Sequence, residues 1–165
     1  MGSEFAGFSH LNDAGAARMV DVSAKSVTMR TATATGFVRL SPECVAALRV
    51  GEVPKGDALS VARIAGIMGA KRTPDLVPLC HPIALHGVEV ELAVEDGGVA
   101  IEAVVRTADR TGVEMEALTS VSVAALSLID MVKAIDPAAV ITDVRVEEKT
   151  GGKTGLWQRK SSNAR

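Results

Sequence analysis

The chain has 165 residues, 47% of them hydrophobic but only 2% aromatic, and a formal net charge of -2. That length suits one domain with a sizeable core, so wholesale disorder is excluded. The mildly acidic balance weighs against a general nucleic-acid binder, and the dearth of rings leaves no platform for stacking bases. No apolar run of transmembrane length and no signal peptide is read from the chain. Cys44 and Cys80 form no CxxC pair, and they read as reduced thiols rather than a disulfide. The expectation is a cytoplasmic protein without membrane or nucleic-acid partners.

Residues 1–7 open with Met1-Gly2-Ser3-Glu4-Phe5, which reads as a cloning scar, and His10 falls in a mobile beginning. A single domain is expected over 8–157, with a flexible tail over 158–165. Residues 26–40, rich in Thr and Val, read as a strand. Ser41-Pro42-Glu43 starts a short helix through Leu48, since serine caps free amides and proline is tolerated in the first turn. After a loop over 51–56, Asp57 caps a second helix that ends near Lys71 and Arg72, where positive charge suits the carboxyl end. Val88, Val90, Leu92 and Val94 alternate with Glu89, Glu91, Ala93 and Glu95. The same period returns at Val99, Ile101, Ala103 and Val105 after Asp96-Gly97-Gly98, which makes a hairpin. Thr111 or Gly112 leads into a long helix to about Ala134, broken by Asp136-Pro137. Residues 140–146 form a last strand before a basic glycine-rich turn. This order gives an α+β fold, a ferredoxin-like antiparallel sheet with helices packed on one face.

Chemistry concentrates in four places. In Thr73 to Pro82, three prolines constrain the backbone around Cys80-His81, so a side chain there is held without a helix or strand. His81 is either a structural histidine or a proton carrier and phosphate ligand. Adjacent Cys and His lack zinc-ligand spacing, and no metal site is expected. Glu114 and Glu116 open the long helix, where its dipole favours acids in any case. Two apart, they point about 200° away from each other, against sharing one small pocket. Asp130 and Lys133, three apart, meet on one helix face. Lys149-Thr150-Gly151-Gly152-Lys153-Thr154-Gly155 offers amides and positive charge to phosphate without a Walker frame; a flexible basic tail is the plainer reading. Residues 116 and 130 stand about 21 Å apart along one helix at 1.5 Å per residue. If both clusters act in one site, the helix breaks or a second subunit completes it.

Taken in order, Met19-Val20-Asp21-Val22-Ser23, Lys55-Gly56-Asp57, Ala62-Arg63-Ile64-Ala65-Gly66, Ala70-Lys71-Arg72-Thr73, Leu79-Cys80-His81-Pro82, Gly112 to Thr119, Asp130-Met131-Val132-Lys133 and Lys149 to Gly155 closely resemble the cyclic pyranopterin monophosphate synthase family. The likeness spans about Phe8 to Gly155. It implies a ferredoxin-like subunit in a hexamer, a trimer of dimers with sites at the dimer interface. It implies molybdenum-cofactor biosynthesis, in which (8S)-3',8-cyclo-7,8-dihydroguanosine 5'-triphosphate becomes cyclic pyranopterin phosphate and pyrophosphate. It also implies an active-site Asp130, catalytically important Lys55 and Lys133, and substrate contacts from Leu79, Cys80, His81, Met115 and Glu116. Glu114, Lys71, Arg72, Lys149 and Lys153 join the substrate-binding set, the basic residues neutralising the triphosphate. Asp130 either orients Lys133 or acts as a base. No resident cofactor is expected, though magnesium can accompany the triphosphate. Val132, where some relatives have cysteine, and Val77, often isoleucine, are the departures. The competing reading is a non-enzymatic oligomeric nucleotide-binding regulator.

Overall fold

The structure, a computed structural model, describes residues 9–160. The expected scar over 1–7 and the chain end over 161–165 lie outside them. Strand β1 (Thr28–Arg39) is threonine-rich and alternates. Its even positions Ala32, Ala34 and Val38 are buried, because side chains in a strand point to opposite faces in turn. Helix α1 (Pro42–Val50) starts on Ser41, whose hydroxyl accepts from Cys44 N at 3.2 Å, and stops at Gly51. Helix α2 (Ala58–Lys71) starts on Asp57, which accepts from Ser60 N at 3.0 Å.

Helix α3 (Thr73–Leu76) is a single turn with Pro74 in its first positions. It occupies only the start of the proline-rich segment, and Cys80-His81 lie outside any helix or strand, as expected. Proline fits a helix start, where its missing N–H costs nothing. The hairpin follows as the alternation requires: β2 (Gly87–Glu95) and β3 (Gly98–Asp109) pair antiparallel. Gly98 sits at φ 151° against the Val38 carbonyl, which a Cβ would strike. Gly98→Ala is therefore expected to cost roughly 2–4 kcal/mol, read as a lowered midpoint in thermal unfolding.

Helix α4 (Glu114–Val132) and strand β4 (Val140–Thr150) complete the main fold. β4 runs four residues further than expected, so Lys149 and Thr150 belong to the sheet, paired with Ala32 and Thr31 of β1. A strand β5 (Trp157–Gln158), not expected from the sequence, pairs with Lys149 and Glu148. It carries the sheet one residue into the segment expected to be a loose tail. The sheet order is β2-β3-β1-β4-β5 with every pairing antiparallel. Its first four strands have the ferredoxin-like order.

Helices α2 and α4 cover one face. Gly66 and Gly69 let them approach closely: a Cβ on Gly66 would lie 3.0 Å from Ser120 O, and one on Gly69 2.8 Å from Val123 Cβ. The helices run antiparallel, since Gly66 meets Ser120 and Ala124 while Lys55, just before α2, reaches Asp130. By length and composition α4 is apolar enough to cross a membrane, contrary to the reading of the sequence. Here it is a core helix, with Ala117, Val121, Ala124, Ala125 and Leu128 fully buried. An alanine- and valine-rich helix under a sheet satisfies the same hydropathy test as a lipid-facing one.

Candidate functional site at the two ends of helix α4

Antiparallel packing sorts the polar residues into two groups. At the carboxyl end of α4, Asp130 accepts from two lysines. Lys133 Nζ lies 2.7 Å from Oδ1 and Lys55 Nζ 2.9 Å from Oδ2. Lys133 is one helical turn along, whereas Lys55 comes from the loop before α2, 75 residues away. All three side chains are about half exposed. Hydrogen bonds from Lys133 and then Lys55 hold the Asp130 carboxyl down at about 2. Folding thus lowers its pKa, so the bridge is intact above the ordinary value of 3.8 and lost as pH falls through about 2. A carboxyl NMR titration is expected to find Asp130 there, and Lys133→Ala is expected to move it up towards 3.8. An unchanged midpoint in that variant would remove Lys133 as the cause.

At the amino end, a cleft of about 510 Å³ is lined by Leu79, Cys80, His81, Glu114 and Met115, together with Ser9, His10, Val20, Val22, Lys25 and Thr111. The rigid segment after α3 supplies the first three. The Cys80 thiol donates to Glu116 Oε1 at 3.5 Å. Burial first, then the Glu116 charge, pushes the thiol up to about 11, so Cys80 is a neutral thiol rather than a nucleophile. Glu116 lies behind it, 1% exposed, and burial raises its carboxyl above the usual range. Glu114, at the first helical position, accepts from Lys149 Nζ at 2.8 Å. The two glutamates diverge as their spacing requires, Glu114 towards β4 and Glu116 inward. They nevertheless flank one region, because Cys80 bridges from Glu116 to the cleft that Glu114 lines.

His81 Nε2 lies 2.6 Å from the Val20 carbonyl. A carbonyl only accepts, so Nε2 carries the proton and Nδ1 is left for another partner. Beside the cleft, Lys149 and Lys153 line a smaller recess with Arg30, Glu114, Gly151 and Thr154. Lys71 and Arg72 end α2, on the same side of the molecule as the start of α4, and both are exposed. Arg72 pairs with Asp75 at 3.4 Å, and neither lines the cleft.

The sequence reading missed Arg30 and Lys25. Arg30 donates to the Asp109 and Arg110 carbonyls at 3.0 and 3.3 Å and lies under Gly151 and Gly152. The available signal was a lone cation in a run of threonine and alanine. Lys25 is held by its own carbonyl, which accepts from Arg110 Nε at 2.9 Å. His10, expected in a mobile beginning, sits in a small closed turn where its carbonyl accepts from Arg18 N at 2.8 Å. Both cysteines are free, Cys44 buried in α1.

Comparison with known proteins gives a consistent answer. Residues 19–152 match the model of the MoaC family. The cyclic pyranopterin monophosphate synthase of Streptomyces avermitilis is 69% identical over 150 residues, 91% of this chain and 88% of its own length. That of a Nocardioides species is 65% identical over 153 residues, covering 91% and 94%. Cyclic pyranopterin monophosphate synthase 2 of Mycobacterium bovis is 57% identical over 152 residues, covering 92% and 91%.

Proposed function

The chain belongs to the MoaC family, and on that premise we propose that its site is shared by two copies, each lending one end of α4. Its activity is that of a MoaC-type lyase in molybdenum-cofactor biosynthesis. The substrate is the 3',8-cyclised dihydro-GTP, and the products are cyclic pyranopterin phosphate and pyrophosphate.

The carrying observation for a shared site is the unbroken helix from Glu114 to Val132. It separates the Cys80–Glu116 group from the Lys55–Asp130–Lys133 group by about 21 Å, too far for one small substrate. A second observation supports an oligomer: Val61, Ile64 and Met68 on α2 are 43%, 59% and 58% exposed. Their spacing places them along one side of the helix, an apolar stripe of the kind that a neighbouring copy covers. The proposal extends to a hexamer, a trimer of dimers, working in the cytoplasm.

Within such a site the work divides by chemistry. We assign neutralisation of the triphosphate to Lys149 and Lys153, with Arg30 beside them, and to Lys71 and Arg72 at the end of α2. Lys55 and Lys133 move protons or stabilise anionic charge as the ring opens and the cyclic phosphate closes. Asp130 orients them: a carboxyl at about 2 holds a proton too weakly to serve as the base at neutral pH. His81 offers Nδ1 to phosphate or proton transfer, and Leu79 and Met115 wall the ring. Glu114 fixes the Lys149 ammonium.

The test is anaerobic turnover of the cyclised substrate, following pyrophosphate and pterin together. The parent is expected to form both, and Asp130→Asn to slow both by about 100-fold. Neither product from a folded, oligomeric parent would overturn the reading in favour of a nucleotide-binding regulator.

A further inference from the structure

An irregularity in strand β4 sets the direction of one lysine. Val146 stands opposite Ala34 of β1, and Lys149 opposite Ala32. Both alanines are buried in the core, so Val146 and Lys149 share the face that the helices cover. The alanines are two positions apart and their partners three; the extra residue is Glu147, a β-bulge between Val146 and Glu148. In a regular strand, residues three apart point to opposite faces. The bulge is therefore what turns Lys149 inward. There its Nζ meets Glu114 Oε1 at 2.8 Å and lines the recess with Arg30 and Lys153.

A bulge interrupts the ladder, so the carbonyls beside it need other donors. Arg159 supplies two. Its backbone N–H donates to the Glu147 carbonyl at 2.8 Å, and its Nε–H to the Val146 carbonyl at 2.8 Å. The same Nε lies 3.6 Å from the Glu147 carboxylate, and the guanidinium stands 5.9 Å from the centroid of the Trp157 ring. From the other side, Thr35 Oγ1 donates to the Glu147 carboxylate at 2.8 Å. Strand β5 then pairs Gln158 with Glu148 and Trp157 with Lys149. The glycine-rich stretch is thus the turn of a β4–β5 hairpin. It fits closely over β1, since a Cβ on Gly151 would strike the Met29 carbonyl.

We propose that Arg159 is a positioning residue for triphosphate binding: it fixes the bulge at Glu147, and so aims the Lys149 ammonium, without touching the ligand itself. That role presupposes the triphosphate reading of Lys149 and adds the group that aims it. Without the cap, β4 is free to relax onto a regular ladder, and a slip of one residue carries a side chain to the opposite face.

Calorimetric binding of inorganic tripolyphosphate to the assembled protein reads the aim of Lys149 without turnover. Arg159→Ala is expected to weaken binding about 10-fold, the scale of one lost charge-assisted contact. Its thermal unfolding should track the parent, because the Arg159–Glu147 pair is partly exposed and such pairs add little stability. Lys149→Ala is expected to weaken binding at least as much. The double variant should bind no worse than Lys149→Ala alone, because two residues acting through one contact do not add. With the cyclised substrate, the loss in Arg159→Ala is expected in KM, about 10-fold, more than in kcat.

A full further loss in the double variant overturns the proposal, since Arg159 would then attract phosphate by its own charge. Parental affinity in Arg159→Ala overturns it too, as does a fall in kcat at unchanged KM. A parent that forms no product removes the synthase reading alone; the aiming role is still decided by the binding cycle.

Discussion

Lys133→Ala is expected to lower the single-turnover rate at saturating substrate by about 10²–10⁴-fold, the range for loss of a positioned proton-transfer group. The fold should barely notice. Lys133 is the last-turn partner of Asp130 at 2.7 Å, and both side chains are 56% exposed. Exposed pairs of this kind contribute little to stability, so thermal unfolding of the variant should track the parent. The bridge to Lys55 survives at 2.9 Å, and Asp130 remains paired. A large rate loss on an intact scaffold therefore isolates chemistry from structure. If the variant bound substrate poorly yet kept the parental rate once saturated, Lys133 would be a binding residue and its proton-transfer role would be wrong.

Mixing two inactive variants is expected to restore activity. Lys133→Ala damages the carboxyl-end group of α4, and Lys149→Ala the amino-end group. In a two-fold dimer that shares its sites, a mixed pair carries one site with both lesions and one with neither. Random assembly makes half the dimers mixed, so co-assembled variants should reach about a quarter of parental turnover. Each variant alone should stay near background. The measurement is turnover of co-refolded or co-expressed variants against the same two proteins mixed without subunit exchange. Absence of recovery, with mixed assemblies verified by mass, would place both lesions in one subunit's site and end the shared-site proposal.

The elements that the sequence specified most sharply are those with strict local rules. The β2–β3 hairpin follows from period-two alternation, and the starts of α1 and α2 from Ser41 and Asp57, whose side chains cap as their types predict. Local rules gave out where pairing between distant strands decided. Lys149 and Thr150 look like part of a glycine-rich turn, but β1 offers them partners and β4 extends. Trp157 and Gln158 resemble a tail until β4 presents an edge. Helix α4 is long and apolar enough to pass for a membrane span, and its neighbours make it core.

The site divides along the same line. The ordered motifs identified the family from the chain alone, and the 14-residue separation of Glu116 and Asp130 on one helix predicted two distant clusters. Such facts are local, because helix geometry converts sequence spacing directly into distance. Tertiary structure decided which groups meet. Lys55 reaches Asp130 from 75 residues away because α2 packs antiparallel to α4 on Gly66 and Gly69. Cys80 reaches Glu116 from 36 residues away, and the same packing buries that glutamate. Whether an acid at a helix start is solvated or sealed depends on what the rest of the chain lays over it. That covering sets which way its pKa moves, upward for Glu116, and no spacing rule along the sequence encodes it.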